Sequence, residues 1–138
     1  MKTKINKGVS IILINKKDEL LLHLRGNNTN LYPEYWALIS GHVEKNENSL
    51  TAIKREIKEE IDCKVYKIKK LSSIFAPKNY KLFIYMGKIN KPVKNINLYE
   101  GKKIEYFEID KIKNLHMPYF LKKFIFSNKD KILNFNKN

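Results

Sequence analysis

The chain has 138 residues, 43% of them hydrophobic, which suits a single domain over 1–138 with a core of its own. Its one cysteine, Cys63, excludes an internal disulfide and a cysteine-based zinc centre, and no apolar run reaches the length of a membrane span. The net charge of +14 has the sign that attracts nucleic acid or phosphate-rich small molecules, but the lysines are scattered through a chain rich in Asn and Ile, the pattern of a compositional bias rather than a basic block.

In chain order, Met1-Lys-Thr-Lys leads directly into a strand, so no signal peptide is expected and a cytoplasmic location is implied. Val9 to Asn15 is a continuous apolar run, the pattern of a buried strand. Asn15-Lys-Lys-Asp18 is a turn signal, and Glu19 to Arg25 is a second strand, so the two read as a hairpin. Gly26 to Pro33 reads as a surface loop. Tyr35 to Ile39 is a short strand holding the only tryptophan, Trp36, and Ser40 to Asn48 is a loop.

A helix is expected from Asn48 or Ser49, both good N-cap types, to Asp62, which tolerates a left-handed cap. Leu50, Ile53, Ile57 and Ile61 recur at helical spacing and predict one buried stripe. Glu56, Glu59 and Glu60 fall beside it, with Ala52 in the same arc, where a small side chain leaves room for an approach. Carboxylates three and four residues apart on a helix repel one another, so the cluster is either a solvated face or a cation site.

Lys64 to Ala76 and Tyr80 to Lys88 read as strands around a Pro77-Lys78-Asn79 turn, the second apolar enough to be central. Ile89 to Lys102 is a loop containing Glu100-Gly101, and Lys103 to Ile109 alternates as a strand with Glu105 toward solvent. Asp110 to Leu115 is a turn or short helix, Pro118 to Phe126 has helical spacing, and the polar tail from Asn128 is expected to fray. Strands mixed with helices indicate a sheet covered by helices on its faces.

Gly41, five residues, Glu47, seven residues, then Arg55-Glu56-Ile57-Lys58-Glu59-Glu60 resembles the signature of the Nudix hydrolases. Every position agrees except the last glycine of that pattern, which is Asp62 here, and the Pro-Gly that commonly precedes it is Ile39-Ser40. The resemblance implies an α/β fold, a Nudix-type α/β/α sandwich with a mixed central sheet. It implies hydrolysis of a diphosphate linkage in nucleoside diphosphate-X compounds with Mg²⁺ or Mn²⁺, and hard oxygen ligands do suit those ions.

By the same resemblance Glu56, Glu59 and Glu60 are metal ligands, joined by the Gly41 carbonyl. Glu56 or Glu59 is the catalytic base. Glu47 and Arg55 pair to hold loop against helix, a role that suits a bidentate guanidinium. Glu100, followed by Gly101, stands where MutT-like members carry a further ligand or a base; the alternative is a turn residue. Arg25, at a strand end, stands where such members grip substrate phosphates, or is an exposed terminal charge. His42 adjoins the signature loop and is a candidate substrate contact; Trp36 could stack on a base or pack in the core. His23, His42 and His116 are too scattered for a zinc site.

The favoured partner is a small nucleotide, above all a nucleoside triphosphate, rather than nucleic acid. Rival substrates are nucleotide sugars, ADP-ribose, dinucleoside polyphosphates and RNA ends. No membrane partner is expected, and monomer and homodimer are equally open. MutT-like members that select oxidised guanine use an asparagine near the start of the C-terminal helix; Met117-Pro-Tyr-Phe has none. A binding module without turnover is the alternative of a different class.

Overall fold

The computed structural model describes residues 6–27 and 32–137. The opening Met1-Lys-Thr-Lys and the middle of the Gly26–Pro33 loop lie outside them.

The first strand, β1 (Asn6–Ile14), is buried from Gly8 onward because it has neighbours on both sides. Along its whole length it pairs in parallel with β6 (Tyr80–Lys88), and from Gly8 to Ile11 it pairs antiparallel with β4 (Ile39–His42). The turn after β1 forms as expected: the Asn15 side-chain oxygen accepts from the Lys17 and Glu19 amides at 3.0 and 2.9 Å, and Asp18 takes a left-handed φ of 61°.

The expected hairpin forms but is short. β1 meets β2 (Glu19–Leu24) only at Ile14 and Leu20. β2 then diverges and pairs along its length with β7 (Lys103–Glu108). The wedge between β1 and β2 is filled by β3 (Trp36–Ala37) and β4, two short strands where one was expected, with the break at Leu38. β5 (Tyr66–Ala76) forms the outer edge beside β6, as the Pro77–Asn79 turn predicts. Parallel pairing of β1 and β6 needs a long crossover. It contains α1 (Ser49–Glu60).

The sheet separates two apolar layers. On one side Val9, Ile11, Leu13, Leu21, Ile39 and Tyr85 pack against Ile53, Ile57 and Ile61 of α1 and its C-cap. On the other, Ile12, Ile14, Leu20, Leu22, Leu82 and Ile84 pack against α2 (Ile109–Ile112), α3 (Tyr119–Ser127) and α4 (Lys129–Asn136). The fold is thus an α/β/α sandwich with a mixed sheet. Each fully buried Leu or Ile contributes roughly 1.5–3 kcal/mol. Among the described residues no helix is long and apolar enough to cross a membrane.

Three local expectations are corrected by packing. The tail does not fray: α4 buries Ile132 completely, and the Asn136 amide donates to the Asn15 carbonyl at 2.8 Å and to Asp18 at 2.7 Å. Leu50, in the first turn of α1, is 40% exposed, and the buried face of the helix begins at Ala52 and Ile53. Ala52 is fully buried against the sheet and leaves no open approach to the carboxylates; the places beside it on the buried face go to Glu56 and Glu60.

Candidate active site

α1 is fixed at both ends. The Asn48 side chain accepts from the Thr51 amide at 2.8 Å, and the Ser49 and Tyr85 hydroxyls meet at 2.6 Å, which ties the helix start to β6. At the other end the Ile61 and Asp62 amides both donate to the Ile57 carbonyl, with Asp62 at φ 44°. That is the left-handed position at which a helix stop favours glycine.

The loop before α1 is held by one guanidinium. Arg55 donates to both Glu47 oxygens, Nη2 to Oε1 at 2.7 Å and Nε to Oε2 at 3.1 Å, and Nη2 also donates to the His42 carbonyl at 2.9 Å. Its Nη1 reaches Glu56 at 2.7 Å and Glu59 at 3.3 Å. The expected Glu47–Arg55 pair is therefore present, and the same arginine also bridges two acids of the cluster. The bonds from Arg55, then one from the Glu44 amide, hold Glu47 below the usual carboxylate range, and Glu47 in turn raises Arg55.

Glu56 and Glu60 turn inward. Gly41 lies so close to Glu56 that a Cβ there would fall 2.1 Å from the carboxyl carbon; only glycine lets the β4 backbone approach this acid. Burial raises Glu56, opposed by its bond to Arg55. Glu60 is 2% exposed, and its Oε2 has no hydrogen-bond partner. Its carboxyl is pushed up to about 9, first by burial, then by the charges of Glu100 and Glu56, against a single bond from the Ser40 amide. Glu59 points the other way, its side chain 57% exposed.

Glu100 is exposed and comes to this corner through backbone contacts. The Tyr99 amide donates to the Glu60 carbonyl at 2.9 Å, and the Lys102 amide to the Leu24 carbonyl at 2.8 Å. Between them Gly101 takes φ 96°, and a Cβ there would lie 3.0 Å from His23 Nδ1 and 2.9 Å from the Leu24 carbonyl.

His23 belongs to the site although nothing in its spacing assigns it a role. It is buried on the α1 face of β2, with Nε2 3.9 Å from Glu60 Oε1 and 3.1 Å from the Leu38 carbonyl. Burial, then the nearby Arg25 charge, lowers it to about 4, so it stays neutral at pH 7 and donates from Nε2 to Leu38. Strand alternation put His23 on one face with Leu21; that α1 would lie over it was not legible. Tyr80 is the second residue missed. Its hydroxyl meets His42 Nδ1 at 3.2 Å, and burial, then the Glu56 charge, raises it.

Arg25 is half-buried; its backbone amide donates to Tyr35, and its Nε is buried without a partner. His42 is exposed, with its ring edge-on to Tyr80. Trp36 is not brought to the carboxylates. It packs on the opposite sheet face, edge-on to Phe107 at 4.9 Å, with the Lys103 ammonium 5.4 Å from its ring centre.

Among the described residues no three acidic, imidazole or thiol side chains converge as a closed metal cage. The candidate ligands divide into a buried pair, Glu56 and Glu60 against Gly41, and an exposed pair, Glu59 and Glu100. An all-oxygen set of this kind fits a hard divalent cation that keeps several water or substrate ligands. The unpartnered, buried Glu60 oxygen fits one too, because a cation would remove the penalty that now holds its proton on.

Residues 4–126 match the family model described as the NUDIX domain. The RNA pyrophosphohydrolase of Pelagibacter ubique (strain HTCC1062) is 33% identical over 88 residues, 61% of this chain and 54% of that protein, so the chain spans about half the length of the curated relative it matches. The NUDIX domain of Shewanella oneidensis NrtR, solved with ADP ribose, superposes with a TM-score of 0.77 at 12% identity over 96% of this chain and 90% of that one. The MutT protein of Methanosarcina mazei Go1 superposes with a TM-score of 0.71 at 20% identity over 100% and 99%. These two likenesses are of fold.

Proposed function

This chain belongs to the Nudix family, and from that premise we propose that it hydrolyses a diphosphate linkage in a nucleoside diphosphate-X compound with the help of a divalent cation. The observation that carries the reading is the buried Glu56–Glu60 pair against Gly41, with one Glu60 oxygen unpartnered.

Glu56, Glu59, Glu60 and the Gly41 carbonyl would hold Mg²⁺ or Mn²⁺, with Glu100 as a further ligand from the facing loop. Such an ion, when bound, neutralises diphosphate charge and makes water more acidic. The protein's own residues do the rest. Arg55 and Glu47 hold the loop so that the Gly41 backbone stays against Glu56. Glu59, open to solvent, accepts the proton of the attacking water; Glu56 is the alternative base. The water oxygen bonds to one phosphorus, the bond to the bridging oxygen breaks, and its electrons leave on the other phosphate. Neutral His23 adds no positive charge beside Glu60 to compete with a cation. Arg25, whose charge lies close enough to His23 to lower it, is the residue we assign to gripping a phosphate oxygen.

The favoured substrate is a nucleoside triphosphate, cleaved in the MutT manner to monophosphate and pyrophosphate. A second reading, a triphosphorylated RNA end, is favoured by the RNA pyrophosphohydrolase relative. A binder without turnover has no need of mutually repelling carboxylates drawn into a core. The test is phosphate and pyrophosphate release from nucleoside triphosphates, ADP-ribose, a nucleotide sugar, a dinucleoside polyphosphate and 5′-triphosphate RNA. Each is run with and without Mg²⁺, for the parent and Glu59→Gln. Mg²⁺-dependent release that Glu59→Gln abolishes supports the reading; none from any substrate overturns it.

A further inference from the structure

We propose that the α1-side face of the β5–β6 hairpin binds a strand of single-stranded nucleic acid whose 5′ phosphates lie in the carboxylate site. This deepens, and rests on, the reading of that site as one that takes nucleotide phosphates.

The strand register makes the surface. Phe75 is cross-strand to Lys81, Ser73 to Phe83 and Lys70 to Tyr85, while Lys7 of β1 is beside Lys81 on the other side. Alternation sends these side chains to the face where Tyr85 and α1 lie. Two ammonium groups approach a single ring: Lys70 Nζ is 4.8 Å and Lys81 Nζ 5.2 Å from the centre of Phe83. Among the described residues neither lysine, nor Lys7, has a carboxylate at ion-pair distance; the ion pairs lie elsewhere. Like charges gathered without a counter-charge leave a positive potential that a phosphate chain would neutralise.

Beside them Phe75 is 70% exposed, an unusual position for a phenylalanine. Lysines around an exposed ring, Phe75, with the half-buried Phe83 ring beside it, are the composition of a single-strand platform, where phosphates meet ammonium groups and bases stack on rings. A second copy of the chain is a poor occupant for the same edge, because Lys69 and Lys70 would face their own equivalents.

The strip adjoins the candidate site. Val9 of β1 pairs with Phe83 on one side and with Gly41 on the other, and the Val43 amide donates to the Lys7 carbonyl at 2.9 Å. From the Lys81 row to the Lys70–Tyr85 row is four β6 residues, roughly 13 Å of strand. A chain with its 5′ end at Glu56 and Glu60 could therefore lay its next nucleotides over Phe75 and Phe83.

The test is binding by fluorescence anisotropy of a short unstructured 5′-triphosphate RNA, 3′-labelled, measured with Mg²⁺ in the Glu59→Gln background so that the cation is present and no turnover occurs. DNA of the same sequence and the RNA duplex run in parallel. Phe75→Ala removes an exposed ring and should leave thermal denaturation and Mg²⁺-dependent hydrolysis of mononucleotides unchanged while weakening single-strand binding by roughly tenfold or more. Lys70→Gln with Lys81→Gln should reduce the slope of log affinity against log salt by about 1.4, two single-strand phosphate contacts. Preference for RNA over DNA would assign the strand type, and equal binding would assign single strands generally. Unchanged affinity in Phe75→Ala, an unchanged slope in the double variant, or a duplex bound as tightly as the single strand overturns the proposal. Failure of all mononucleotide and RNA hydrolysis would strike the reading of the site instead, and the binding result would stand by itself.

Discussion

Replacing Glu60 by Gln should stabilise the metal-free protein at alkaline pH and weaken its response to Mg²⁺. The Glu60 carboxyl sits at about 9 in the folded chain against an ordinary 4.5. The folded state therefore keeps a proton that the unfolded state sheds between those values. Its contribution to stability is complete below pH 4.5 and is lost as pH rises toward 9. At about 1.4 kcal/mol per unit, the loss at pH 8 is about 5 kcal/mol.

Glutamine carries no charge to lose, but its buried amide leaves donors that cost about 1–3 kcal/mol. The net gain of Glu60→Gln at pH 8 is thus about 2–4 kcal/mol, cancelling near pH 6 and reversing below it. His23 runs the opposite way: held at about 4 instead of 6.5, it removes stability as pH falls through that window. The parent should accordingly be flat from 4.5 to 6.5 and lose stability above it.

The assay is thermal or urea denaturation followed by circular dichroism at several pH values, with EDTA or Mg²⁺. Mg²⁺ at a hundredfold excess over its Kd should stabilise the parent by about 2.7 kcal/mol and the variant by clearly less. Parallel pH curves and equal Mg²⁺ responses for parent and Glu60→Gln would refute the assignment of the buried penalty to this residue.

Other substitutions test the supporting geometry. Gly41→Ala places a Cβ where the Glu56 carboxyl now lies and should cut Mg²⁺-dependent turnover by roughly a hundredfold, read as initial rate, since an ångström of misplacement has that effect. Arg55→Lys cannot span Glu47, the His42 carbonyl and Glu56 together. It should lower stability by about 1–2 kcal/mol, and a melting temperature equal to the parent's would contradict the clamp. Asp62→Gly relieves a left-handed φ of 44° and should stabilise by about 0.5–1 kcal/mol in urea titration without changing activity.

Much of the site was legible because its spacing is local. The step from Gly41 to Glu47, Arg55 and the three glutamates lies within one loop and one helix, where a period of 3.6 and a cap residue specify who neighbours whom. The Asn48 cap, the Asp62 stop and the Glu47–Arg55 pair all follow from residues close in sequence. The same locality located most strands, because alternation and turn residues need no partner to be seen.

Tertiary structure alone decided the partners. Period two says which face a side chain takes but not which strand lies beside it. So the hairpin signal at Asn15 found β2, which meets β1 only at Ile14 and Leu20, but not β6, some seventy residues on, with which β1 pairs along its whole length. Only that arrangement brings His23 under Glu60, Tyr80 onto His42, and Lys7, Lys81 and Phe75 into one row. It also decided protonation. Glu56, Glu59 and Glu60 are the same residue type within two turns of helix, and sequence treats them alike. Packing buries two and leaves one in water, and the desolvation that follows makes Glu60 keep its proton while the Glu59 side chain stays open to solvent.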